Sequence, residues 1–235
     1  MVRMAAVQAA AVPGDVEGNV AAAARWVRAA ADRGAELVVF PEAFTTGYDL
    51  GILAGELPAA DLRWAAPVQQ AVDATGVTAV VNSALQDGDR RTLSSVVLRP
   101  GAEPSAPYAK QNLHGEETKL FAPGEGPASI EVGGVEVAIS VCADADAPAH
   151  AADAAARGAD VYINSGAWFP GGERRRDEQH AARARDNGLY VVFAGLLGVL
   201  HDFIGGSAIF DPTGRILDQV APGVEGLAVA EVDGR

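Results

Sequence analysis

The stretch VEVAISVCADAD, from Val135 to Asp146, decides how this chain is read. Val135, Val137, Ile139 and Val141 alternate with Glu136, Ala138 and Ser140. An apolar period of two built from β-branched residues predicts a strand with one face on a core. The small, acidic run that follows is a poor continuation of a strand, and Pro148 suits the first turn of a helix. Cys142, the only cysteine, therefore falls at a strand-to-helix elbow. A nucleophile in such a place stands at the edge of a sheet, and backbone N–H groups of the turn can meet a developing oxyanion. A lone cysteine is more often a small hydrophobe of the core, so the rest of the sequence has to decide between the two readings.

Working outward, the chain alternates strand and helix patterns. Val2–Gln8 reads as a strand and Asn19–Arg33 as a helix with one apolar face, closed by Gly34. Glu36–Phe40, ELVVF, is a short apolar run of the kind buried on both faces, and it leads directly into Pro41 and Glu42. After the loop TTGYDLG a second helix is expected over Ala60–Thr75, then the strand VTAVVNSAL, a turn at Asp87–Arg91 and the returning strand TLSSVVLR. A brief strand at Tyr108–Lys110 precedes the irregular polar stretch QNLHGEETKLFAPGEGP. Beyond the cysteine come the strand DVYIN, a charged helix over Arg174–Asn187, the apolar strand Leu189–Leu197, and the strand-and-turn tail GGSAIF, DPTG, RILDQV and GLAVAEV. This alternation, with hairpins mixed in, predicts a layered α/β fold with helices on the outer faces of packed sheets, in one domain over residues 1–235.

Composition narrows the classes of function. With 49% hydrophobic and 21% charged residues the chain reads as a globular protein. No apolar run reaches the roughly 20 residues of a membrane span, and the N-terminal stretch is too soon broken for a signal peptide, so a cytoplasmic protein is expected. One cysteine excludes an internal disulfide framework and a Cys-rich zinc site, and no metal or cofactor motif is found. The net charge of −13 opposes nucleic acid or an anionic membrane as partner.

A thiol needs a base or a cation nearby to become a good nucleophile. None of His114, His150, His180 and His201 has a strand-end context, whereas Glu42 and Lys110 stand, as Cys142 does, where strands run out into loops. At these residues the chain resembles the nitrilase superfamily of carbon-nitrogen hydrolases, in its amidase-like branch. The resemblance is carried by FPE at Phe40–Glu42, by YAKQNL from Tyr108 running on to Glu117 and FAPG at 121–124, and by Cys142, Ala143 and Asp144. It extends to AAVQAA near the start, GADVYINSGAW, ARARDNGLYVVFAG and GGSAIFDPTGRIL.

The resemblance implies a four-layer α-β-β-α sandwich that assembles into a homodimer or a higher homo-oligomer. It implies Cys142 as nucleophile, Glu42 as general base, Lys110 as electrostatic partner, the backbone N–H of Ala143 as an oxyanion donor, and Glu117 or its neighbour Glu116 as a second glutamate. The implied reaction is cofactor-free hydrolysis of a small linear carboxamide through a thioester. An N-carbamoyl (ureido) hydrolase is the runner-up, a nitrilase follows, and a catalytically silent scaffold is the reading from another class. Tyr48 and Trp168 are candidates for the substrate pocket. Arg174, Arg175 and Arg176 are either partners of a substrate carboxylate or a solvated helix face. One departure is visible: relatives often follow Cys-x-Asp with an arginine and an acidic residue around the proline, where this chain has Asp146 and Ala149.

Overall fold

The computed structural model describes residues 1–198 and 200–234. From the N-terminus, β1 (Val2–Ala10) leads through α1 (Val16–Asp32) to β2 (Leu37–Val39), and α2 (Leu50–Leu53) and α3 (Ala66–Thr75) precede β3 (Thr78–Asp87), β4 (Arg90–Leu98) and β5 (Ser105–Ala109). The middle of the chain forms β6 (Ser129–Val132), β7 (Val135–Val141), α4 (Pro148–Ala156), β8 (Val161–Gly166) and α5 (Glu173–Asn187). It ends with β9 (Tyr190–Leu197), β10 (Ala208–Phe210), β11 (Ile216–Gln219) and β12 (Gly226–Val232).

Two six-stranded halves result. In the first, β5-β4-β3-β2-β1 run side by side and β12 pairs antiparallel with the far edge of β1. In the second the order is β6-β7-β8-β9, continued by β10 and β11. The centre of each half is parallel, β1-β2-β3 in one and β7-β8-β9 in the other. The halves join where Ala9 and Ala10 of β1 pair with Leu196 and Leu197 of β9.

Strand alternation sends successive side chains to opposite faces, and this sorts the core into layers. Val2, Met4, Ala6, Leu37 and Val39 of the first half meet Val137, Ile139, Val141, Val161 and Ile163 of the second in one shared cluster. The opposite face of the first half, with Ala5, Val7 and Val38, packs on Val20, Ala23 and Val27 of α1 and Val68 and Val72 of α3. The opposite face of the second half, with Ala138, Tyr162 and Val191, packs on Ala151 and Ala154 of α4 and Ala184 of α5. The result is the expected α-β-β-α arrangement. Burying each large aliphatic side chain of the middle layer contributes about 1.5–3 kcal/mol before chain entropy is counted.

The elements differ from the sequence reading where local backbone chemistry intervenes. The helix expected from Ala60 begins at Ala66, because Leu62 adopts a left-handed backbone (φ 58°) and only a 3-10 turn, Arg63–Ala65, precedes Pro67 near the helix start. Strand β6 and 3-10 turns at Gly115–Lys119 and Cys142–Asp146 were not expected. The last of these fills the space between β7 and α4, so the cysteine does stand at a strand-to-helix junction. Among the described residues no helix is long and apolar enough to cross a membrane.

Candidate active site

Three strand ends converge. Glu42 lies just past β2, where Ala43 turns with φ 47° and its N–H donates to Asn82 Oδ1 at 2.7 Å. Lys110 follows β5 and is pinned by its own N–H to the Leu93 carbonyl at 2.8 Å. Gly124 lies so close against this segment that a Cβ there would come within 2.0 Å of the Ala109 carbonyl oxygen. Cys142 follows β7 of the other half with φ 45°, a left-handed conformation that costs a non-glycine residue about 1–3 kcal/mol.

Lys110 Nζ donates to Glu42 Oε1 and to Glu117 Oε1, both at 2.7 Å, and all three side chains are fully buried. Glu117 also accepts from the Tyr48 hydroxyl and the His114 N–H, each at 2.6 Å. Glu116 instead points outward and pairs with Lys119, so the second glutamate of the cluster is Glu117. The Cys142 thiol lies 3.9 Å from the Ala167 carbonyl and faces Glu42.

Burial sets the protonation states. It pushes Glu42 up to about 7, Lys110 opposing and the Glu117 charge adding to the rise. The Cys142 thiol is driven well above its ordinary value, by burial first and by the Glu42 charge second, so it rests as S–H. Burial works against the charge of Lys110, but Glu42, Cys142 and Glu117 outweigh it and hold the ammonium above the usual lysine range. A buried acceptor of protons beside a buried thiol, with a fixed cation between two carboxylates, can shuttle one proton and stabilise one developing negative charge.

Behind Cys142, Asp144 accepts from Val141 N at 2.9 Å, Gln111 N at 3.1 Å, Asn112 N at 2.7 Å and the Tyr108 hydroxyl at 2.5 Å. Asn164 on β8 donates to Ser140 Oγ at 2.9 Å and to the Cys142 carbonyl at 3.4 Å, while its Oδ1 meets His180 Nε2 at 3.1 Å. His180, expected on a charged helix face, is fully buried, and burial lowers it to about 3. Its companion His150 bridges the hydroxyls of Tyr108 and Tyr162.

The front of the site is a cavity of about 310 Å³ lined by Tyr48, Ala143, Trp168 and Phe169 together with Glu42, Lys110, Glu117 and Cys142. Tyr48 and Trp168, the candidates for the substrate pocket, both line this cavity. The arginine run divides: Arg174 is exposed and pairs with Glu178, Arg175 lines the cavity, and Arg176 is buried and donates to the Gly205 carbonyl. Neither reading of the run as a unit holds, because a helix turns 100° per residue and sends its neighbours to different surroundings. Asp144 was in view as part of the cysteine block, but nothing in the sequence marked Asn82 or Asn164, whose importance comes only from the strands beside them.

Comparison with known proteins extends these observations. The sequence profile of the carbon-nitrogen hydrolases matches residues 3–235. A hydrolase of Mycobacterium tuberculosis is 30% identical over 93% of this chain and 85% of its own length. A protein of Pyrococcus abyssi named nitrilase is 30% identical over 99% and 90%. An amidase of the nitrilase superfamily from Nesterenkonia sp. AN1 superimposes with a TM-score of 0.91 at 26% identity, covering 99% of this chain and 94% of that one. Structures of that amidase include one with acrylamide added to its active-site cysteine and one in complex with butyramide.

Proposed function

Since this chain belongs to the carbon-nitrogen hydrolase family, within the nitrilase superfamily, we propose that it hydrolyses the C–N bond of a small linear carboxamide through a thioester on Cys142. The observation that carries this reading is the Lys110 ammonium held 2.7 Å from both Glu42 and Glu117 beside a thiol on a strained elbow.

Glu42 takes the thiol proton as sulfur attacks the carbonyl carbon, so no free thiolate has to persist in a buried site. The tetrahedral oxyanion is met by Lys110 and by the backbone N–H of Ala143, the residue after the nucleophile. Collapse of this intermediate breaks the C–N bond, and Glu42 returns the proton to the departing nitrogen, which leaves as ammonia or an amine. Water then attacks the thioester, giving a proton to Glu42. The carboxylic acid departs and the thiol regains its proton. Glu117 is not a second base in this scheme; with its oxygens committed to Lys110, Tyr48 and His114 it orients the ammonium. Trp168 and Tyr48 form the walls that contain the substrate chain.

Ammonia release from a panel of short amides, ureides and nitriles tests the reading. Amides are expected to be turned over fastest, with a transient acyl adduct of Cys142 seen by mass. Turnover of ureides or nitriles alone, or turnover that survives Cys142→Ala, would overturn it.

A further inference from the structure

Besides the buried groups, the cavity carries one further pair of opposite charges. Arg175, in the first turn of α5, places its guanidinium carbon 5.2 Å from the centroid of the Trp168 ring. Its Nη2 donates to Asp146 Oδ2 at 3.0 Å. Both residues line the cavity. Asp146 is carried by the same 3-10 turn that begins at Cys142, and the buried Arg183 anchors that turn by donating to the carbonyls of Ala145, at 2.8 Å, and Asp146, at 3.4 Å. The backbone that carries this carboxylate is therefore fixed relative to Cys142.

A guanidinium at the mouth of a pocket is by itself a receptor for a carboxylate. Here one of its faces is covered by indole and one of its edges by Asp146. The pair sums to zero, and the inner groups Glu42, Glu117 and Lys110 leave one surplus negative charge when Glu42 is ionised. Arg175 stays 66% exposed, so an anionic group arriving at this wall can reach it, but it finds the charge already offset by Asp146 and has that carboxylate directly alongside. A methyl end meets no such opposition and rests on Trp168, Phe169 and Pro170.

We propose that Asp146 is a specificity-determining residue that masks Arg175 and so restricts the site to amides whose far end is uncharged. This rests on the amide-hydrolase reading above. The mask is local in sequence to the nucleophile, whereas the cation it covers lies 29 residues further on, in α5.

Butyramide and succinamate test it, because they differ by a methyl against a carboxylate at the far end. Two readouts are taken, kcat/KM from ammonia release and protection of Cys142 against slow labelling by iodoacetamide, followed by mass. The protein as it stands should favour butyramide in both. Asp146→Asn should shift the butyramide-to-succinamate ratio toward succinamate by about tenfold, the scale of one partly exposed unit charge. The double variant Asp146→Asn, Arg175→Gln should restore the preference for butyramide, and Arg175→Gln alone should sharpen it, which keeps the test independent of how one variant folds. Asp146→Glu should retain the original preference. Equal handling of the two amides by the unaltered protein, or a ratio unmoved across the variants, would overturn the mask. Selective protection without any hydrolysis would leave the mask standing and remove the amidase reading; hydrolysis with a flat ratio would do the reverse.

Discussion

Asp144 Oδ1 accepts two hydrogen bonds from Asn112, one from its backbone N–H at 2.7 Å and one from its Nδ2 at 3.0 Å. Because Asn112 lies two residues after Lys110 and Asp144 two residues after Cys142, this contact fixes the ammonium-bearing loop of one half to the thiol-bearing elbow of the other. Asp144 is a positioning residue: it touches the segments that carry the reacting groups. Asp144→Ala would leave several buried donors without an acceptor, each costing about 1–3 kcal/mol. We expect a loss of at least about 3 kcal/mol in urea unfolding; a loss below about 1 kcal/mol would show that the two halves are held together elsewhere.

Removal of the reacting groups separates their roles. Cys142→Ala should abolish turnover with the fold intact, since a small side chain replaces a small one. Lys110→Ala should lower kcat by about 100-fold to 1000-fold, as loss of one oxyanion donor does. It should also destabilise the protein by about 3–5 kcal/mol, because Glu42 and Glu117 are left as buried carboxylates without their cation. Near-normal kcat in Lys110→Ala, measured by ammonia release, would remove lysine from the mechanism.

The pH dependence follows from Glu42. Burial raises its pKa to about 7, so it keeps its proton to a higher pH than an ordinary carboxylate and is an acceptor only above that range. As pH falls through about 7 the base is lost, and kcat/KM should drop about tenfold per unit below it. Glu42→Gln should abolish this acid limb together with most of the activity. A profile flat down to pH 5 would exclude Glu42 as the base.

The Tyr48 hydroxyl gives Glu117 one of its hydrogen bonds. Tyr48→Phe keeps the ring on the pocket wall but removes one of the two hydrogen bonds to Glu117 Oε1, the oxygen that also accepts from Lys110. A hydrogen bond to a charged group is worth about 1.5–3 kcal/mol, so kcat should fall by about tenfold or somewhat more with KM little changed. A rise in KM at constant kcat would instead make Tyr48 a substrate contact alone.

In the proposed mechanism Lys110 takes the place where a Lewis acid would polarise the carbonyl, and a cation held by two carboxylates needs no metal to do so. Activity should therefore survive dialysis against a chelator. Loss on chelation with recovery on adding a divalent ion would contradict the scheme.

Much of the fold is legible in the sequence, and the limits are physical. The period-two run into Cys142, the apolar β2 ending at Glu42 and the amphipathic α1 announce themselves because each buries one face or two against a core. Helix α5 misleads. Its inner face, Arg176, His180 and Arg183, is polar and yet buried, satisfied by the Gly205, Ala145 and Asp146 carbonyls and by Asn164. A reading based on apolar periodicity sees only a solvated helix there. Strand β6 is short and half exposed, and its signal is lost beside the glycine turn that follows it.

The sequence by itself determined the order of the longer strands and helices, the face the alternating strands turn inward, and the chemical types that stand at three strand ends. These are local properties, set by side-chain alternation and by backbone preferences within a few residues. Only the tertiary structure decided that the ends of β2, β5 and β7 meet, that Glu117 rather than Glu116 faces Lys110, and that Arg175 alone of its run reaches the cavity. Those outcomes depend on the pairing of β1 with β9 and on which groups lose their water when the halves close. Desolvation then gives Glu42 and Cys142 their protonation states, and no residue carries that property before it is buried.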